Sequence, residues 1–467
     1  MLEEYSDDLS NEATVFPEGK LFRICFDSSV GELRIMAKHF SAFDELRNAF
    51  SEANGGAFFA SRYGYKCAST LYAINKFGYF LPGLLFEILQ WIKLNYSDLS
   101  CVAMSERCKK YVLDYLTPLK KNESILKSMQ IANLAEDLGR NNELRRTHEK
   151  DPFEYRDYQK ESLEFLFKKG FGRGLIEVPT AGGKSFILAN FIWNIHKNID
   201  KNYRYMILVP NTQLVVQFYK DLIDYGIDKS FITKFTRVLP KNEKYNPDAK
   251  VIIANRQFVF NNKSKIPKID VLICDEAHTC TAEASAELIT SFNCKIKIGC
   301  SGTLPRDKYK KWQLIGLFSK IVYEKDIIGL QEAGFISKLK ITLLKITDSV
   351  VEEDRKLLFN LNPLTKYHED EFGQSEIAFD DAYKAEHKYF EEHYKDLYKP
   401  VFDYLFTLST NTLILFDRIE IGTNLYKYAK ELYPDRNVFY IDGSIEVSVR
   451  EQTRDAFEQS DGNILLA

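Results

Sequence analysis

The string Pro179-Thr180-Ala181-Gly182-Gly183-Lys184-Ser185 combines small residues with a lysine and a hydroxyl, the residue types that hold phosphate. Residues 175–178 read as a short buried strand and 186–192 as an apolar helix, so the string lies at a strand-to-helix turn. Such a turn lets backbone N–H groups wrap phosphate oxygens at the helix N-terminus. Lys184 then reaches the β and γ phosphates, and the Ser185 hydroxyl ligates Mg²⁺. Val178 stands where the strict Gly-x-x-x-x-Gly-Lys-[Ser/Thr] pattern has its first glycine. A second string, Asp275-Glu276-Ala277-His278, follows the apolar run 269–274, which has the character of an interior parallel strand. Asp275 emerges at that strand's carboxyl end, where open α/β sheets bind ligands, and completes the metal pair Ser185 and Asp275. Glu276 is placed to polarise the attacking water. His278 reads as a coupling residue, because no second His or Cys lies at metal-ligand spacing. Lys184, Ser185, Asp275, Glu276 and His278 are thus the expected catalytic set, with ATP and Mg²⁺ as ligands.

The elements that must position these residues follow from the rest of the chain. Its 467 residues suggest about three domains, and 45% hydrophobic with 28% charged residues is the balance of an ordinary globular protein. A formal net charge of −3 excludes wholesale basic character, so any nucleic-acid contact must come from local patches. The eight cysteines contain no Cys-x-x-Cys pair and read as reduced core residues. The opening residues are acidic rather than a secretion signal, and the longest apolar stretch, 79–92, is too short to span a bilayer. The expectation is a soluble cytoplasmic monomer with no membrane contact.

Residues 1–18 read as a mobile acidic tail. Residues 19–104 form a small α+β module: paired strands at 21–26 and 32–36, and a helix from Ser41 with Asp44 in capping-box position. A strand from about Lys66 follows, then a helix entered through Pro82. Residues 105–152 are charged and helical, without an apolar face long enough for a core, and read as a connector. From 153 to 330, strands recur at 174–178, 205–209, 250–254, 269–274 and 295–300, separated by crossover-length segments. A partial second α/β unit occupies 331–467, with strands at 339–344, 412–416 and 437–441 and an intervening helical stretch. The chain stops inside a further strand, 463–467, which suggests truncation.

These signatures, in this order, resemble helicase superfamily 2, whose phosphate loops open on a Pro-Thr pair. The fold implied is α/β: a RecA-like parallel-sheet motor domain and a partial second RecA-like domain, preceded by the α+β module. In Tyr155-Arg156-Asp157-Tyr158-Gln159 the resemblance makes Gln159 the residue that hydrogen-bonds the adenine edge, with Tyr158 as a neighbouring aromatic. Residues 209–217 are similar to motif Ia and 254–257 to a later strand-end element. This implies nucleic-acid contacts from Pro210, Asn211, Thr212, Gln217, Asn255, Arg256 and Gln257. Ser301-Gly302-Thr303 resembles motif III, which couples γ-phosphate loss to domain movement, and 412–416 resembles motif IV. The front module, through Arg62-Tyr63-Gly64-Tyr65-Lys66 and Phe80-Leu81-Pro82-Gly83-Leu84, is similar to phage helicases of the UvsW type. That implies an enzyme driven by ATP hydrolysis that remodels branched DNA and R-loops in recombination, repair and replication, in a host cytoplasm if phage-encoded. Its partners would be branched or duplex DNA or an RNA–DNA hybrid. The family's motif V and its motif VI arginines lie beyond Ala467, so the resemblance implies slow turnover by this chain alone.

Blander readings stand beside several of these. Arg62 and Lys66 suit either solvated hairpin tips or a nucleic-acid contact, and Arg256 either an ordinary surface position or a phosphate contact. Tyr394, Tyr398, Phe402, Tyr404 and Phe406 read as helix packing rather than a base-stacking platform. Two alternatives to the helicase remain: a nucleotide- and DNA-binding fragment without turnover, and the motor subunit of a restriction system.

Overall fold

Apolar runs that alternate with crossover-length segments should pair as parallel strands, and the computed structural model has such a sheet at its centre. It describes residues 16–27, 32–55, 57, 68–96, 102–138, 155–237, 239, 244–336, 367–368, 375–376, 394–406, 410–416 and 418–467. These fall into two units, divided after Lys338.

The first unit opens with β1 (Phe22–Asp27), β2 (Glu32–Ala37) and α1 (Phe40–Ala49). Next come β3 (Ser51–Ala53), β4 (Thr70–Tyr72), β5 (Tyr79–Phe80), α2 (Leu85–Tyr96) and β6 (Val102–Met104). One sheet runs β5-β2-β1-β6, with β1 antiparallel to β2 and parallel to β6; β3 and β4 make a separate hairpin pair. The expected capping box at Ser41 is absent. The helix begins one residue earlier, behind His39, with no side-chain cap, and Asp44 accepts instead from Asn48 within the helix. Beyond Pro82, a short 3₁₀ turn leads into α2, which buries Leu85, Ile88 and Ile92 as the pattern requires.

The central sheet has seven parallel strands: β7 (Arg173–Glu177), β8 (Tyr205–Val209), β9 (Ile232–Phe235), β10 (Val251–Asn255), β11 (Val271–Asp275), β12 (Ile296–Ser301) and β13 (Ile321–Glu324). Their order is β13-β7-β12-β11-β8-β10-β9. Helices α3 (Asp157–Lys168), α4 (Lys184–Asn198), α5 (Thr212–Asp224) and α6 (Lys308–Phe318) belong to this part of the unit. Because β7, β12 and β11 are adjacent, the segments at their carboxyl ends converge: the loop after Glu177, Ser301, and Asp275.

The connector departs from its expected character. Cys108, Leu116, Leu119, Leu126 and Leu134 are all buried, and they join cores shared with the sheet. The front module is also packed on the central sheet's flank: Phe50 lies 5.3 Å from Trp312 between ring centroids, and Glu52 accepts from the Tyr309 backbone at 2.7 Å. Gly83 and Gly316 let the two backbones approach, since a Cβ on Gly316 would sit 2.5 Å from that of Leu81.

In the second unit, the strands Thr412–Ile414, Val438–Tyr440 and Ile464–Leu466 form a parallel sheet with Ile464–Leu466 in the middle. The helices Tyr394–Phe406 and Ile419–Leu432 supply its core, where Phe402 is buried against Tyr428 and Tyr433. The expected strand at 339–344 and most of the following helical stretch lie outside the described residues.

Candidate nucleotide site

Strand β7 ends at Glu177, and the chain turns through 179–183 into α4. Ala181 and Gly183 take positive φ, 65° and 77°, which curls the loop. Gly183 has no alternative: a Cβ there would overlap Nε2 of Gln159. The Gly182 carbonyl accepts from the Tyr158 hydroxyl at 2.6 Å and from Gln159 Nε2 at 3.2 Å, while Gln159 Oε1 accepts from the Arg156 N–H at 3.1 Å. Gln159 is fully buried and Tyr158 nearly so. Both residues were expected at the adenine; in this structure the Tyr158 hydroxyl and Gln159 Nε2 bond the backbone of the phosphate loop. An aromatic that the sequence reading passed over sits beside them: Phe335 is 5.9 Å from the Tyr158 ring, and the Arg156 guanidinium lies 4.8 Å from its centroid.

Lys184 Nζ is 3.6 Å from Glu276 Oε1. Glu276 adopts a left-handed backbone, φ 48°, uncommon for a residue with a Cβ. Its other carboxylate oxygen is 3.3 Å from His278 Nδ1, which also meets Ser301 Oγ at 2.8 Å. Ser301 Oγ donates to the Thr303 carbonyl at 2.7 Å, and Ser301 O accepts from Val178 N–H at 3.0 Å. A Cβ on Gly302 would lie 3.2 Å from Thr180 Oγ1 and 3.5 Å from Lys184 Nζ, so the 301–303 turn presses on the phosphate loop. Glu177, not foreseen as a site residue, ties the same turn down by accepting from Leu304 N–H at 3.0 Å. Lys184, Glu276, His278 and Ser301 therefore form one continuous chain of polar contacts.

Asp275 lies at the end of β11, 6% exposed, and its Oδ1 has no hydrogen-bond partner. Burial, reinforced by the neighbouring Glu276 charge, pushes its carboxyl up to about 6 against the pull of Lys184. A buried anionic oxygen without a partner, beside an ammonium and a second carboxylate, suits a divalent cation. Ser185 Oγ is 2.8 Å from the Tyr225 hydroxyl, and by donating its hydrogen there it keeps its lone pairs for a metal. Among the described residues no cluster of three or more His, Cys, Asp and Glu forms a separate metal site, and no helix is long and apolar enough to cross a membrane.

The residues expected to face nucleic acid divide. Asn211 and Asn255 cap the helices that follow β8 and β10, accepting from Leu214 and Phe258 N–H at 2.9 and 3.0 Å. Asn255 Nδ2 also donates to Pro210 O at 3.0 Å, joining the two strand ends, and Thr212 Oγ1 meets Thr236 Oγ1 at 3.0 Å. Gln217 and Gln257 are exposed. Arg256 departs from the ordinary surface position: it is buried, and its guanidinium bonds inward to Cys280 Sγ and Thr279 Oγ1, bracing the segment after Asp275. Arg62 and Lys66 lie outside the described residues.

Comparison with known proteins agrees with this geometry. The family "Type III restriction enzyme, res subunit" matches residues 152–306. The ATP-dependent DNA helicase uvsW of Enterobacteria phage T4 is 24% identical over 324 residues, covering 66% of this chain and 57% of that protein. The transcription and DNA repair factor IIH helicase/translocase subunit XPB of Dictyostelium discoideum is 26% identical over 268 residues, covering 50% of this chain and 32% of that one. Among solved structures, the UvsW helicase from bacteriophage T4 aligns at 24% identity with a TM-score of 0.47, over 65% of this chain and 99% of that one. The chain thus spans little more than half of the phage relative's sequence and a third of the XPB relative's.

Proposed function

We propose that this chain, which belongs to helicase superfamily 2, is a DNA-dependent ATPase that remodels branched DNA and RNA–DNA hybrids. The observation that carries this reading is the unbroken contact chain from Lys184 through Glu276 and His278 to Ser301. It joins a phosphate-sensing ammonium to a turn that leads into α6, the helix on which the front module is packed.

In this reading Lys184 and the loop N–H groups hold the triphosphate, and Glu276 orients the attacking water. A bound Mg²⁺ would neutralise phosphate charge, with Asp275 and Ser185 as its protein ligands. Phe335 and Arg156 offer a flat, cationic seat for the base beside Tyr158 and Gln159. His278 and Ser301 would feel loss of the γ-phosphate through Glu276 and pass the change to the 301–303 turn. Asn211, Thr212, Gln217, Asn255 and Gln257, at or just beyond the strand ends, are the proposed contacts to the nucleic-acid backbone. Phosphate contacts carry little sequence information, so affinity should fall with salt.

A second reading, the motor of a restriction system, is favoured by the family match over 152–306. ATP hydrolysis measured without DNA, with linear duplex and with a forked duplex separates the two. A remodeller gives the highest ratio of stimulated to basal rate on the fork, a restriction motor gives it on linear duplex, and a ratio of one for both refutes a DNA motor. The ratio remains informative even where absolute turnover is slow.

A further inference from the structure

We propose that the tight turn between Ile74 and Phe80 holds Phe77 as a stacking post for an unpaired nucleobase. The inference rests on the branched-DNA reading and assigns a residue to the recognition of the branch.

The turn is fixed by more bonds than its length requires. Asn75 N–H donates to Tyr79 O at 2.9 Å, and Gly78 N–H to Asn75 O at 3.0 Å. The Asn75 side chain also accepts from the N–H groups of Phe77 and Tyr79, at 2.9 and 3.0 Å. Gly78 takes φ +86°, and a Cβ there would overlap the Ile35 carbonyl, so the final turn position admits only glycine. From the neighbouring strand β2, Arg34 Nε donates to the Phe77 carbonyl at 2.9 Å, and Ile35 N–H bonds Gly78 O at 2.9 Å.

All of this fixes a residue that the core does not need. Ile74 and Phe80, the pair that closes the turn, are buried and anchor the hairpin, whereas Phe77 is 58% exposed. A single exposed aromatic is ordinary on a protein surface; what sets Phe77 apart is the number of bonds that fix its backbone. Its surroundings indicate the occupant. Lys76 Nζ lies 4.9 Å from the ring centroid, and the Arg34 guanidinium, bonded to the Phe77 carbonyl, lies 5.4 Å from the Tyr79 centroid. Phe40, 81% exposed, stands one helical turn before Phe43, whose ring packs beside Gly78. A ring with an ammonium over one face and a guanidinium nearby suits a base stacked on its other face and phosphates to the side, an interaction that tolerates any sequence. An apolar protein groove would call for a continuous apolar patch without these charges. Intact duplex hides its base faces, so a post of this kind distinguishes a junction from linear DNA.

The test uses the full chain with a forked DNA carrying 2-aminopurine at the junction, and the variants Phe77→Ala, Phe77→Leu and Phe77→Trp. The expected result is fork affinity reduced roughly five- to hundredfold in F77A and F77L, loss of the junction fluorescence change, and near wild-type behaviour in F77W. Affinity for blunt linear duplex should be the same in all four proteins. Wild-type fork affinity in F77A overturns the inference, as does F77L behaving like wild type, which would make the contact merely apolar. In both cases the wild-type protein still binds the fork and the functional reading stands. Absence of DNA binding by the wild-type chain removes the functional reading and this inference with it.

Discussion

Replacing Asp275 by asparagine should stabilise the metal-free protein while removing the proposed Mg²⁺ ligand. The carboxylate is 6% exposed, one of its oxygens has no partner, and its neighbour Glu276 is also anionic. Folding pushes its proton affinity up from 3.8 to about 6, so the folded state binds more protons than the unfolded state between those values. Stability therefore declines as pH rises through this window, and above it the ionised side chain destabilises the fold by at most about 3 kcal/mol. An amide of the same shape carries no charge to desolvate, and Lys184 keeps Glu276 as its partner. In EDTA at pH 8, urea unfolding of D275N should show a gain of roughly 1–3 kcal/mol, falling to about half at pH 5. Saturating Mg²⁺ should reverse the order, because only the wild type keeps the anionic ligand. A variant less stable than wild type at pH 8 in EDTA, or a gain of the same size at both pH values, would refute the argument that burial of this charge is a cost retained for metal binding.

Other expectations follow from the same geometry. Glu276→Gln should lower the rate of ATP hydrolysis by about 10²- to 10⁴-fold while leaving nucleotide affinity near wild type, read by single-turnover kinetics beside equilibrium binding. Equal losses in both would mean that Glu276 serves binding rather than chemistry. Gly316→Ala forces a Cβ to within 2.5 Å of that of Leu81, and should cost roughly 1–3 kcal/mol. Amide exchange in the segment 82–96 should rise in that variant, whereas unchanged exchange would show that the front module is not held through this contact.

What the sequence made legible was set by how locally each feature is encoded. The phosphate loop and the Asp275 strand end were readable because long apolar runs, 186–192 and 269–274, bracket them, and their adjacency follows from parallel topology. Strands β9 and β13 were missed for the opposite reason. Ile-Thr-Lys-Phe is a four-residue run carrying a lysine, yet Lys234 is buried with its ammonium 4.4 Å from the Tyr219 ring centroid. Two other cations turn inward too. Arg256, open to a surface or a phosphate reading at its strand end, bonds inward, and Arg173 is buried beneath Tyr115, 4.0 Å from its ring centroid. No short-range pattern shows that a charge has found a distant aromatic or thiol partner. The buried residues of 105–152 were not legible as core because they are spread over short helical pieces with no common period, Cys108 and Leu116 joining one cluster and Leu119, Leu126 and Leu134 another. Gln159 shows a further limit: its bond to the Gly182 carbonyl of the phosphate loop is visible only in the packing.

The most direct measurement of the central claim is calorimetric titration of wild-type protein and Lys184→Ala with ATP, each with and without Mg²⁺. A single site built from Lys184, Asp275 and the 179–185 loop predicts one Mg²⁺-dependent binding event in the wild type, weakened by about tenfold or more in the variant, as expected for loss of a charge-assisted contact to phosphate. Equal affinity in the two proteins, or wild-type binding indifferent to Mg²⁺, would contradict it.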